Sequence, residues 1–172
     1  MHGVLVQALP PGIADLLHQV QLRPFSQYVL PHQDRELIWV IGLWEPEVAQ
    51  YITQAVMALT RIELQQKGLT LEVTGVQSES QSDHEYFSRF FVSEKPCRRY
   101  EIEFLTPCTH KRDGSYTLFP STDLIFNSIN MRYSAFSDKI AINDPVALEQ
   151  IAQYTKIVRY YLHSRVYYLE RT

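Results

Sequence analysis

The stretch Phe25-Ser26-Gln27-Tyr28-Val29-Leu30-Pro31-His32-Gln33-Asp34-Arg35-Glu36-Leu37-Ile38-Trp39-Val40-Ile41-Gly42-Leu43 decides the fold class. Two runs rich in branched and aromatic residues, 25–30 and 36–43, flank Pro31-His32-Gln33-Asp34, a turn-forming group, and together they predict an antiparallel hairpin. Directly behind it, Glu45-Pro46-Glu47 opens a helix, because proline is tolerated in a first turn and acids suit the positive end of the helix dipole. Val48, Ile52, Ala55, Val56 and Leu59 share one face of that helix, and Gly68 after Lys67 supplies a helix stop or a turn. Residues 69–76 then alternate, with Leu69, Leu71 and Val73 on one side and Thr70, Glu72 and Thr74 on the other, which predicts a strand.

Working outward toward the amino end, residues 3–9 are apolar, Pro10-Pro11-Gly12 interrupts, and Ile13, Leu16 and Leu17 resume helical spacing up to His18. This reads as a helix broken or bent at the prolines. The order up to residue 77 is then α-β-β-α-β. A ferredoxin-like domain runs β-α-β-β-α-β, so the opening strand is missing, and the expectation is that residues ahead of the first helix have been lost.

Toward the carboxyl end, residues 77–83 are polar and serine-rich and read as a linker. Residues 85–93 carry Tyr86, Phe87, Phe90 and Phe91 and read as a segment docked between domains. Residues 99–105 alternate as a strand. Pro120-Ser121-Thr122-Asp123 opens a helix through Phe136, residues 145–154 suit another short helix, and residues 156–169, dense in Val, Ile and Tyr, read as a strand. A second ferredoxin-like domain begins but does not finish. The expected architecture is α+β, two tandem ferredoxin-like domains truncated at both ends, divided as 1–77, a linker and docking segment at 78–98, and 99–172.

Composition narrows the function classes. With 172 residues, 45% of them hydrophobic, the chain can bury a core and is not disordered. No apolar run reaches the length of a membrane span and no secretory pattern opens the chain, so a cytoplasmic protein without membrane association is expected. Cys97 and Cys108 fit neither a disulfide framework nor a zinc knuckle and read as reduced thiols. The net charge of −3 argues against a wholly basic nucleic-acid coat but leaves room for a local basic patch.

Two motifs give the layout a family resemblance. Leu17-His18 is followed by Arg23-Pro24-Phe25-Ser26, and Glu101-Ile102-Glu103-Phe104-Leu105-Thr106-Pro107-Cys108-Thr109 is followed by Pro120 and a helix carrying Asn127, Ser128 and Arg132. In order and spacing they resemble the CRISPR-associated endoribonucleases of the RAMP superfamily, which cut repeat RNA into guide RNAs. The resemblance implies that His18 is the catalytic histidine and that Arg23 stands where many members carry a catalytic lysine. Some members also use a tyrosine of the first helix; the nearest position here is Val6, which does not support that role. The glycine-rich loop found near the end of family members is absent. CRISPR repeat RNA is the implied partner, and other CRISPR effector subunits are further candidates.

The residues suit that chemistry. Metal-free RNA cleavage needs a base for the 2′-hydroxyl proton, an acid for the leaving 5′-oxygen and a cation near the phosphorane. Imidazole serves as acid or base because its unperturbed pKa lies near neutrality, and either role is open to His18. The guanidinium of Arg23 donates to two phosphate oxygens and keeps its proton, which suits the cation role. His2, His32, His84 and His163 read as ordinary terminal, turn, linker and strand residues, and His110 sits beside Lys111 and Arg112 in a loop that suits phosphate contact. No histidine pair has metal-ligand spacing with a matching carboxylate, so neither metal nor cofactor is expected. Candidate RNA contacts are Arg98, Arg99, Lys111 and Arg112 around one strand, with Lys95 beside them, Arg132 on the next helix, and Arg159 and Arg165 on the last strand, where alternation puts them on one face with His163. Two other readings stand beside the nuclease: a non-catalytic guide-RNA-binding relative of the same family, and a ferredoxin-like protein-interaction module.

Overall fold

The computed structural model describes residues 1–82, 85, 89, 98–117, 119–137 and 141–163. The chain divides into two compact units, Met1–Arg98 and Arg99–Thr172. It is an α+β protein of short helices and two-stranded antiparallel sheets.

The first unit opens with two helices, α1 (His2–Gln7) and α2 (Pro11–Gln19). The break falls at the prolines, as the sequence implies: Pro10 has the extended ψ of 142° and Pro11 starts the new helix. The hairpin follows as β1 (Phe25–Pro31) and β2 (Leu37–Leu43), with Phe25 opposite Leu43 and Pro31 opposite Leu37. A single 3-10 turn, Gln33–Arg35, joins them, and the His32 amide closes it on the Glu36 carbonyl at 2.8 Å. Alternation places Phe25, Gln27 and Val29 on one sheet face with Leu43, Ile41 and Trp39. Gln27 is tolerated on that face because its Oε1 accepts from the Trp39 indole Nε1 at 3.0 Å, so each polar group satisfies the other.

Helix α3 (Pro46–Met57) is capped by Glu45, whose carboxylate accepts from the amides of Glu47 at 3.1 Å and Val48 at 2.7 Å. Val48 and Ile52 are buried on its inner face. They join Leu5, Leu9, Leu17 and Phe25 in one cluster, against which Ile13, Trp39, Ile41, Leu43, Ala55 and Val56 pack. Both opening helices, the hairpin and α3 therefore share a single core.

Beyond α3 the structure adds a strand that the sequence reading lacks and takes the turn alternative at Gly68. The helix stops at Met57, well short of Gly68, and the intervening residues form strand β3 (Arg61–Leu64), paired antiparallel with β4 (Leu69–Glu72). Glu63, Leu64, Gln65, Gln66 and Lys67 are good helix formers, but pairing with the following strand overrides that preference. Gly68, with a φ of 58°, closes the turn between the two strands after a 3-10 turn at Gln65–Lys67, and so serves as a turn residue, not a helix stop.

The described residues of the second unit form a small hairpin and two helices. Strands β5 (His110–Arg112) and β6 (Ser115–Thr117) pair through the left-handed dipeptide Asp113-Gly114, with φ of 50° and 79°. His110, Lys111 and Arg112 are thus strand residues and not part of a loop. Helices α4 (Thr122–Phe136) and α5 (Pro145–Tyr154) lie where the sequence places them, α5 capped by Asp144, which accepts from the Val146 amide at 2.9 Å. Thr122 Oγ1 donates to the Ala152 carbonyl at 3.3 Å and Asn130 Nδ2 to the Ile142 carbonyl at 2.9 Å, which ties α4 to α5 and to the segment leading into it.

The strands expected at 99–105 and 156–169 are not formed over their described residues. Residues 99–105 and 156–163 carry no strand structure. Alternation specifies a strand only where a neighbour takes up its amides and carbonyls, and among the described residues these segments have no ladder partner. Residues 164–169 of the last expected strand lie outside the described residues, as do Arg165, Lys95, Cys97, His84 and most of the expected docking segment at 85–93.

The core assignment has a direct test in urea denaturation. Ile52→Ala removes a side chain that is 1% exposed and loses about 2–5 kcal/mol, whereas Met57→Ala, at a position 57% exposed, loses well under about 1 kcal/mol. Gly68→Ala forces a Cβ into left-handed backbone and costs about 1–2 kcal/mol. A loss at Ile52 no greater than that at Met57 contradicts the assignment.

Candidate functional site

Helix geometry settles where His18 stands. Leu17 is 2% exposed and belongs to the core cluster, so the next residue, one helical step round, turns to solvent in the last turn of α2. His18 is exposed. The chain leaves α2 through Val20 in extended conformation, exposes Arg23, and returns to the core at Pro24 and Phe25. Leu17 and Phe25 are thus two pins in one cluster, and His18 and Arg23 each lie beside a pinned stretch of backbone. Neither side chain makes a hydrogen bond or ion pair with a described residue. An imidazole and a guanidinium free in solvent on rigidly anchored backbone can meet a phosphodiester without first breaking a contact.

The cations of the second unit divide differently from the sequence reading. Lys111 and Arg112 are adjacent on β5 and therefore face opposite sides of the hairpin. Arg112 is engaged: its Nη2 forms an ion pair with Asp123 Oδ2 and donates to Ser121 Oγ at 3.2 Å, linking β5 to the start of α4. That contact explains why Ser121 sits at the N-cap of α4 without a side-chain bond to the helix amides. Lys111 instead places Nζ 4.6 Å from the centre of the Tyr116 ring. Arg98 and Arg99 are exposed and adjacent in the chain, Arg132 is exposed on α4 and Arg159 beyond α5, and Arg165 lies outside the described residues. The expected common face of Arg159 and His163 is not formed, because the segment is not a strand; His163 Nε2 lies 2.8 Å from Tyr161 Oη, the rings edge to face.

Three side chains near β5 escaped the sequence reading. Ser121 and Asp123 hold Arg112, and Tyr116 sits beneath Lys111. The available signal was Asp113-Gly114, a strong two-residue hairpin turn that sets Lys111 opposite Tyr116.

Among the described residues two ionisable groups are perturbed. The hydroxyl of Ser121 is the main influence holding the Asp123 carboxyl below its usual range; partial desolvation opposes it and the Arg112 guanidinium assists. Partial burial raises the Cys108 thiol, with a backbone hydrogen bond opposing. Cys108 Sγ lies 3.7 Å from His110 Nε2, but a raised thiol stays protonated at neutral pH and is a poor nucleophile. Among the described residues no three His, Cys, Asp or Glu side chains converge where they could hold a metal ion. No helix among them is long and apolar enough to cross a membrane.

Comparison with known proteins gives the site its context. No protein-family model matches the chain. Two proteins named CRISPR-associated endoribonuclease Cas6, from Mycobacterium tuberculosis strains CDC 1551 / Oshkosh and ATCC 25618 / H37Rv, are each 32% identical to it over 140 residues, 80% of this chain and 44% of the relative. A third of that name, from Streptococcus thermophilus, is 25% identical over 171 residues, 99% of this chain and 69% of the relative. This chain is homologous to proteins of that name, as its two motifs imply, and spans less than half the length of the two mycobacterial relatives.

The tether between hairpin and helix is open to measurement. A carboxyl with a depressed pKa stabilises the fold fully above its ordinary value, near 3.9, and ceases to do so as pH falls through the lower folded value. Asp123→Asn should therefore speed amide hydrogen exchange at Ser115 and Thr117, whose amides face the partner strand, by up to about fivefold near pH 6, the range of an exposed ion pair. Parent and variant should converge at a pH low enough to protonate Asp123. Equal exchange near pH 6 contradicts the tether.

Proposed function

We propose that this chain, homologous over most of its length to proteins named CRISPR-associated endoribonuclease Cas6, cuts CRISPR repeat RNA into guide RNAs without a metal ion. The similarity of 32% over 80% of the chain is the observation that carries the reading. The solvent-facing histidine at the end of α2 supplies it with a chemical centre.

His18 is the proposed acid or base. As base, it takes the proton of the 2′-hydroxyl, whose oxygen then attacks the adjacent phosphorus. As acid, it delivers a proton to the departing 5′-oxygen. Either way the products are a 5′-hydroxyl and a 2′,3′-cyclic phosphate. Arg23 donates to the non-bridging phosphate oxygens and offsets charge that grows on the phosphorane. Arg98, Arg99, Lys111, Arg132, Arg159 and Arg165 are proposed phosphate contacts, so affinity falls with salt. Arg112 contributes less than its neighbours because Asp123 already balances its charge.

The architecture proposed with this function is tandem ferredoxin-like, with domains at 1–77 and 99–172 and a linker at 78–98. The order hairpin, helix, strand within the first unit supports it. A cytoplasmic location and association with other CRISPR effector subunits belong to the same proposal.

Incubating the chain with repeat RNA in EDTA provides the test. The parent cuts, and His18→Ala cuts at least about 10²-fold more slowly with nearly unchanged RNA affinity. Arg23→Ala lowers both rate and affinity, because a phosphate clamp acts in ground and transition states alike. Cleavage by His18→Ala at the parental rate removes His18 from the mechanism. Binding by the parent without cleavage replaces the nuclease with a guide-RNA holder.

A further inference from the structure

We propose that the outer face of the β5–β6 hairpin is a stacking site for an unpaired RNA base, with the Tyr116 ring carrying the base and Lys111 the phosphate beside it. The proposal rests on the RNA-processing reading and names a binding residue that reading does not contain.

The hairpin's two faces do different things. His110, Arg112, Ser115 and Thr117 share one face by register, and Arg112 on that face is bound to Ser121 and Asp123 at the start of α4. Lys111 and Tyr116 are directly opposite one another on the other face, pointing away from that attachment. Tyr116 is 68% exposed, and Lys111 is exposed beside it. The left-handed pair Asp113-Gly114 fixes the register, and Thr117 Oγ1 donates across to the His110 carbonyl at 3.3 Å. The ring is therefore held on a short, tethered ribbon, and the Lys111 ammonium 4.6 Å from its centre restrains it further.

Core packing does not account for this ring. The buried hydrophobic residues described all belong to the first unit, and among the described residues the ring contact recorded for Tyr116 is that with Lys111. With the cation over one face of its ring and 68% of its surface exposed, Tyr116 offers what a single-stranded nucleic acid needs: a flat π surface for a base on the other face, and a positive charge within reach of the same nucleotide's phosphate. Every base has a π-face, so such a site is tolerant of sequence. It prefers an unpaired base, since a base inside a duplex is already stacked on both sides. RNA, and not an acidic protein surface, is the occupant argued here, because charge recognition alone leaves the ring unused.

The test measures the affinity of the full chain for a short fluorescein-labelled oligoadenylate by anisotropy, at several salt concentrations. Tyr116→Ala should weaken binding about 5- to 150-fold, the range for losing one stacked base, while Tyr116→Phe and Tyr116→Trp stay within about twofold of the parent. Lys111→Gln should weaken binding less and reduce the salt slope by about 0.7, one phosphate contact to a single strand. Unchanged affinity in Tyr116→Ala overturns the proposal, as does Tyr116→Phe binding as weakly as Tyr116→Ala, or an equal loss by Tyr116→Ala on a fully paired duplex. A parent chain that binds no RNA defeats both this site and the nuclease reading. A parent that binds and cuts repeat RNA, with Tyr116→Ala indistinguishable from it on the oligoadenylate, defeats this site alone.

Discussion

Burial of Leu17 and Phe25 in one apolar cluster is the constraint on which the first unit depends. The two residues enter that cluster from either end of a short exposed connection, one from the last turns of α2 and the other from the start of β1. Leu5, Leu9, Val48 and Ile52 complete the cluster and tie the two opening helices, the hairpin and α3 to one another. A pair of pins of this kind fixes the backbone between them more firmly than loop residues fix themselves. His18 and Arg23 inherit that rigidity while their own side chains remain in solvent. A catalytic group gains most when its backbone is held and its reactive atom is not engaged elsewhere.

Charge in the second unit is arranged by the same economy of contacts. The chain is net negative, at −3, so phosphate recognition depends on where individual cations stand. Arg112 is spent internally, holding the His110–Thr117 ribbon against a helix through Asp123 and Ser121. That internal use leaves the opposite side of the ribbon, with Lys111 and Tyr116, directed to solvent. Neighbouring residues in sequence thus take opposite roles because a strand alternates its faces.

Much of the first unit could be read from pattern alone. The 25–43 hairpin has two runs rich in branched and aromatic residues about a polar turn, and helix α3 begins at an acid-proline-acid signal; both form where expected. Strand β3 could not be seen, because Leu64 and the residues after it up to Lys67 favour helix in isolation, and Arg61–Leu64 become a strand only through pairing with β4. The alternating segments at 99–105 and 156–163 failed in the converse way, having strand composition without a described partner to complete a ladder. At the candidate site, the place of His18 near the end of a helix was legible from the spacing of Ile13, Leu16 and Leu17, and its exposure, like that of Arg23, is seen in the structure. The capture of Arg112 did not, since it depends on a tertiary contact eleven residues away.

The chemistry proposed for His18 is metal-free: a solvent-facing imidazole promotes attack by a ribose hydroxyl on its own neighbouring phosphate. The most direct measurement compares all-ribose repeat RNA with the same RNA carrying one 2′-deoxyribose at the scissile nucleotide, both in EDTA, with the product ends identified. The account predicts that the first is cut to a 2′,3′-cyclic phosphate and a 5′-hydroxyl while the second is bound and left intact. Cleavage of the deoxy-substituted RNA at the same bond, or cleavage that needs an added divalent ion, contradicts it.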